Sequence, residues 1–161
     1  MKSLLTVKPW IIFISLFILA IFAETIFGHI LFILWIILFT YWTLKVGENL
    51  YYKLENRSIL NLKRFKIQIA FVVIYYAIIL VFGGYEITDE NINSYGFKAW
   101  IIIPLHLILM FFIFHTIYFL SKCIVELRKK NEKVLLYMLG FWFFPIGIWI
   151  IQPRIIELID E

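Results

Sequence analysis

The chain has 161 residues, 63% of them apolar, 20% aromatic and only 16% charged, with a net charge of +4. Soluble domains run at roughly 45–50% apolar and about 25% charged, so this composition argues against a water-soluble globule and for lipid-facing helices. The basic excess suggests nucleic acid, yet the basic residues flank apolar runs; anionic lipid headgroups are the simpler counter-charge, and no nucleic-acid site is read here.

From 10 to 44 the sequence is apolar apart from Glu24, Gly28, His29 and some hydroxyls. As one helix these 35 residues would reach roughly 50 Å, well beyond a hydrocarbon core of about 30 Å. The run therefore divides into a hairpin, with spans near 9–25 and 29–46 and a turn at Glu24, Thr25, Gly28 and His29. Lys2, Lys8 and the apolar stretch behind them also resemble a secretory signal. Ile21 stands where cleavage prefers a small residue, however, and a second apolar run follows at once, so a retained signal-anchor is expected.

Residues 49–66 contain neither Gly nor Pro, and in 122–133 Glu126 precedes Lys130 in the favourable i,i+4 order, so both polar segments are expected to extend helices. A third span near 65–83 ends at Gly83-Gly84, a natural helix stop. A fourth runs near 99–121, with Pro104 in its first turns, where a missing amide proton costs little. Trp10, Trp42, Tyr51, Tyr85 and Trp100 lie where apolar runs meet polar sequence and read as interfacial anchors.

Thirteen of the fifteen Lys and Arg residues fall in three short polar segments. With the N-terminus inside, Lys2 and Lys8, the six basic residues of 45–66 and the five of 122–133 all land on one side, while 84–98 faces outward with Glu86, Asp89 and Glu90 against Lys98. That is the asymmetry the positive-inside rule demands, and it predicts a multi-pass inner-membrane protein with a cytoplasmic N-terminus. Cys123, the single cysteine, has no internal partner for a disulfide and reads as a bystander.

The stretch 134–151 is mostly apolar but interrupted by Gly140, Pro145 and Gly147, with a helix break expected near Pro145 and Gly147. It is either a kinked fifth span or a re-entrant hairpin turning at Phe144-Pro145-Ile146-Gly147. The predicted fold is thus an all-α integral membrane domain over 1–161, four transmembrane helices plus this Pro/Gly-broken segment.

The run from Trp142 to Trp149, with Gln152-Pro153-Arg154-Ile155 behind it, resembles the C-terminal signature of a group of small bacterial multi-span membrane proteins of unassigned activity. Lys8-Pro9-Trp10, Asn61-Leu62 with Arg64-Phe65-Lys66, and Pro104-Leu105-His106 are similar to that group at matching places. The resemblance implies a recurring fold and no particular chemistry, and it singles out Pro145, Gly147, Gln152 and Arg154. The group's tail tends to be basic, whereas here it is acidic.

Ionisable groups inside a bilayer are functional candidates by default. Glu24 and His29 are expected at the solvated outer turn. His106 and His115 lie nine residues apart on the fourth span, about 180° around the helix, so they cannot serve one site and are expected to make interhelical hydrogen bonds. His29 and His106 differ too much in depth to ligate together, so no metal or cofactor is expected. Ser15, Thr40, Thr43, Tyr75, Tyr76 and Thr116 could line a polar seam, with at most one of the two tyrosines facing the bundle. Ala70 and Ala77 share a face that could pack closely. Asn49, Glu55, Asn61 and Glu126 match no catalytic motif.

Three functions compete. The first is a non-enzymatic helical bundle acting through self-association or a membrane partner, with anionic lipid against its cytoplasmic face. The second is a small channel or pore-forming effector gated at the Pro145 break. The third is a membrane-embedded enzyme acting on lipid.

Overall fold

A computed structural model describes residues 5–22, 25–81, 96–129 and 132–160. Among them the chain is all-α: α1 (Pro9–Phe22), α2 (Ile26–Lys53), a single 3-10 turn (Arg57–Ile59), α3 (Leu62–Val81), α4 (Gly96–Arg128), α5 (Val134–Trp142) and α6 (Phe144–Asp160). Two helices are long and apolar enough to cross a membrane by length and composition, over Ile30–Lys53 in α2 and Ile103–Arg128 in α4. Glu24, Gly83-Gly84, Lys130 and the acidic segment around Glu86 lie outside the described residues, as does the side chain of Trp100.

The first apolar run does divide. Pro9 opens α1, where its fixed φ suits the first helical position. Thr25 caps α2, its hydroxyl oxygen accepting from Gly28 N at 2.9 Å while the hydroxyl donates to Phe22 O at 2.8 Å. His29 therefore sits in the first turn of α2, not in the connection. Trp35 Nε1 donates to Ser15 Oγ at 3.2 Å and ties the hairpin's arms together.

α2 continues seven residues past the end of the expected span at 46, to Lys53, a helical extension of the kind expected, and its last polar turns find partners. Glu48 meets Lys45 at 2.8 Å and Lys66 at 2.5 Å, and Asn49 Nδ2 donates to Lys45 O at 2.8 Å. The 49–66 segment is not one helix, however. Leu54 leaves the helix in extended geometry, Asn56 caps the 3-10 turn, and Asn61 Oδ1 accepts from Arg64 N at 2.9 Å to start α3.

α3 and α4 run antiparallel, paired through Tyr75 with His106, Phe71 with Phe112 and Phe65 with Phe119. α4 begins earlier than expected, which puts Pro104 in the helix interior rather than its first turns. It ends at Arg128, and Lys129 then adopts φ 49°, the left-handed position usually given to glycine.

α5 and α6 form a tight helical hairpin. The break is at Phe143, one residue before the expected turn; its carbonyl accepts from Ile146 N at 2.9 Å and Gly147 N at 2.8 Å. Pro145 lies inside the first turn of α6, where it lacks no helical bond. Gly147 is what lets the arms close: a Cβ there would stand 1.9 Å from Gly140 O. α6 buries one face, including Ile148, Ile151, Ile155 and Ile159, against α1, α2, α4 and α5. Lys53 Nζ donates to Leu158 O at 2.7 Å and Ile159 O at 3.0 Å, so the hairpin returns to the end of the bundle where α2 finishes.

The buried core occupies the half of the bundle near that end, around Val46, Leu50, Phe65, Phe119, Ile124 and Ile148. Away from it, large apolar chains such as Phe17, Ile37 and Leu107 point outward. Ala70 and Ala77 are exposed and mediate no close packing; the close approaches are at Gly147 and at Gly47, where a Cβ would meet the Phe65 ring at 2.4 Å.

Candidate functional site

Two constructions stand out. The first locks the polar end. Gln152 is fully buried on α6, and its Nε2 donates to Leu5 O at 2.9 Å and Val7 O at 2.8 Å, which pins the segment before α1. Arg154, two residues on, donates to the hydroxyl of buried Tyr137. Arg128 Nη1 donates to the same oxygen at 3.0 Å, and that hydroxyl in turn donates to Glu132. Arg154 and Arg128 lie 3.4 Å and 3.5 Å from the Glu132 carboxylate, joining α4, α5 and α6 in one charge-assisted network. Glu55 and Lys129 pair at 2.6 Å at the exposed margin, where the ammonium holds the carboxyl below its usual range.

The same end also carries exposed cations without an ion-pair partner among the described residues: Lys8, Lys63, Arg64 and Lys133. Asn49, Asn61 and Glu126, the last paired with Lys122 at 2.6 Å, all have structural partners.

The second construction is a cavity of about 420 Å³ inside the bundle. Its long wall is one face of α2, from Phe32 through Ile36 and Phe39 to Trp42 and Thr43. Val72 and Tyr76 of α3 face it, as do Ile113 and Thr116 of α4, and Phe144 and Pro145 at the hairpin tip border it, leaving it half open. Four members of the expected polar seam, Thr40, Thr43, Tyr76 and Thr116, line this space. Tyr75 points elsewhere, its hydroxyl 3.0 Å from His106 Nδ1.

Trp42 is not an interfacial anchor. It is 5% exposed and packs on Phe39 and Phe144, with ring centroids at 5.7 Å and 5.9 Å. Its indole Nε1 and the Thr116 hydroxyl are buried with no hydrogen-bond partner among the described residues. A buried tryptophan N–H normally finds an acceptor, so its isolation at a cavity wall is chemically informative.

Of the expected candidates, Gln152 and Arg154 meet in the polar lock, and Pro145 and Gly147 shape the hairpin tip. His106 makes the expected interhelical bond to Tyr75. His115 lies against Phe111 and Tyr118 of its own helix, and its Nδ1 has no partner among the described residues. Among those residues no three His, Cys, Asp or Glu side chains gather as a metal site would require. Glu24 and the His29 side chain lie outside the description. The sequence singled out neither Lys53 nor Tyr137 as a site residue, and it placed Trp42 among the interfacial anchors rather than at a cavity wall. Only Trp42 left a signal, standing one turn from Lys45 on the face that carries Phe39.

No family model matches the chain, and neither a curated protein nor a solved structure matches it.

Proposed function

We propose that the chain is a multi-pass inner-membrane protein with its N-terminus in the cytoplasm, built from four spans and a re-entrant C-terminal hairpin. It acts as a non-enzymatic bundle through self-association or a membrane partner, with its cationic end held against anionic headgroups. The carrying observation is the polar end itself: Lys53 grips the last carbonyls of α6 while Gln152 grips the segment before α1. These bonds support placing the N-terminus, both hairpin ends and the basic clusters on one side, as retained cytoplasmic charge requires. The break at Phe143 leaves its side chain exposed, but its carbonyl accepts from Ile146 N and Gly147 N, so the backbone at the turn is satisfied within the hairpin, as a break at membrane depth requires. The exposed Lys8, Lys63, Arg64 and Lys133, without an ion-pair partner among the described residues, supply the surface for anionic lipid or an acidic partner. An aqueous channel at the Pro145 break is less well supported, because the nearest walls are Phe141, Trp142 and Phe144.

Two measurements test this. A membrane-impermeant maleimide should label Asp160→Cys, in a Cys123→Ala background, in inside-out vesicles and not in intact cells; the reverse pattern overturns the topology. After mild detergent extraction the chain should elute as an oligomer or with a co-purifying membrane protein. A lone monomer overturns the association.

A further inference from the structure

We infer that the central cavity holds one acyl chain of a cytoplasmic-leaflet phospholipid, with the Trp42 indole N–H donating to the chain's ester carbonyl oxygen. The inference rests on the membrane placement proposed above, and three independent features carry it.

Depth is the first. Trp42 stands one helical turn, roughly 5 Å, below Lys45, whose ion pair with Glu48 marks the polar end. Ester carbonyls sit just beneath the charged headgroups, at that level. From Trp42 the wall runs down α2 to Phe32, ten residues or roughly 15 Å, which is half of a hydrocarbon core about 30 Å thick. The cavity therefore spans one leaflet.

The lining chemistry is the second. Below Trp42 the walls are mainly aliphatic and aromatic, as in Phe32, Ile36, Phe39, Val72 and Ile113, which suits a hydrocarbon chain and offers little to an ion. A volume of about 420 Å³ falls in the range of roughly 300–1,000 Å³ typical of small-molecule pockets. The third feature is the orphan donor. Indole N–H donates and cannot accept, so the missing partner must be an acceptor such as an ester carbonyl. Thr116, on the opposite wall, has a hydroxyl that can turn toward its own helix and does not demand a ligand oxygen.

The test uses the full chain in detergent, with added dipalmitoyl phosphatidylglycerol and its ether-linked analogue, bound lipid being counted by native mass spectrometry. The wild-type chain should keep one diacyl lipid after detergent exchange and hold the ether analogue about two- to tenfold more weakly, the ratio that one net hydrogen bond supplies. Trp42→Phe keeps the ring and loses the donor. It should bind both lipids equally, at the wild type's ether level. Ile113→Trp, which fills the cavity from α4, should abolish retention of either lipid while the chain stays folded by circular dichroism. Retention of a free fatty acid in place of phospholipid would overturn the inference, as would equal wild-type affinity for ester and ether lipids or an unchanged preference in Trp42→Phe. These readouts need no orientation, so they can fail while the labelling at 160 succeeds, and the labelling can fail while lipid retention succeeds.

Discussion

At the scale of single residues the glycines of the hairpin give the sharpest contrast. A Cβ on Gly147 meets the Gly140 carbonyl oxygen at 1.9 Å, and backbone cannot step aside. The converse Cβ on Gly140 meets Ile151 Cδ1 at 2.9 Å, the far end of a flexible side chain. Gly147→Ala should therefore cost about 3 kcal/mol or prevent folding, while Gly140→Ala costs about 1 kcal/mol or less, read as detergent-solubilised melting temperatures. Equal shifts would mean that the arms do not touch as described. Gln152 supports a second prediction. Gln152→Leu preserves apolar packing on α6 but strips the acceptors Leu5 O and Val7 O of their donor, at about 2 kcal/mol. Limited proteolysis should then cut before Pro9 in the variant faster than in the wild type.

At the scale of elements, the α4 terminus sets a backbone effect against a surface ion pair. Lys129 occupies left-handed geometry, which costs a non-glycine residue roughly 1–2 kcal/mol, while its pair with Glu55 is fully exposed and so contributes little. Lys129→Gly should raise thermal stability despite the lost ion pair. A fall would show that the pair outweighs the strain. The helices themselves were largely legible in sequence, because a 35-residue apolar run cannot be one span and polar segments must leave lipid. Their ends were less so. The extension of α2 to Lys53 depends on Lys66, and the break before α3 on the side chains of Asn56 and Asn61, none of which apolar periodicity records. The C-terminal segment was legible as broken but not in direction. What turns it back is Lys53 meeting carbonyls more than a hundred positions away and Gln152 reaching Leu5, and no local spacing encodes either. The cavity was half visible: four hydroxyl-bearing residues in apolar runs marked a seam, but Trp42 near a boundary reads as an anchor until its direction around α2 is known.

For the whole molecule the division of labour between buried core and lipid decides what the environment does. The core is concentrated at the cationic end, and the opposite half presents Phe17, Ile37 and Leu107 outward, so in the proposed membrane placement lipid solvates that half. At the cationic end most charges are internally paired; of the exposed Lys8, Lys63, Arg64 and Lys133, Lys63 and Arg64 stand side by side at the start of α3, where the proposed placement sets them against headgroups. Anionic membranes attract such cations by about 1 kcal/mol each, within a Debye length of about 8 Å at physiological salt. The wild type should consequently melt higher in nanodiscs containing phosphatidylglycerol than in purely zwitterionic ones, and added salt should shrink the difference. Lys63→Glu with Arg64→Glu reverses two of the four exposed cations and should markedly shrink the preference without altering the start of α3, because Asn61 caps the backbone N–H of residue 64 and not its side chain. Exchanging Lys122 and Glu126 with one another keeps their pair and the net charge, and so should leave the preference intact. If the double reversal favours anionic nanodiscs as strongly as the wild type does, the cationic end is not the face in contact with headgroups and the orientation proposed for the bundle fails with it.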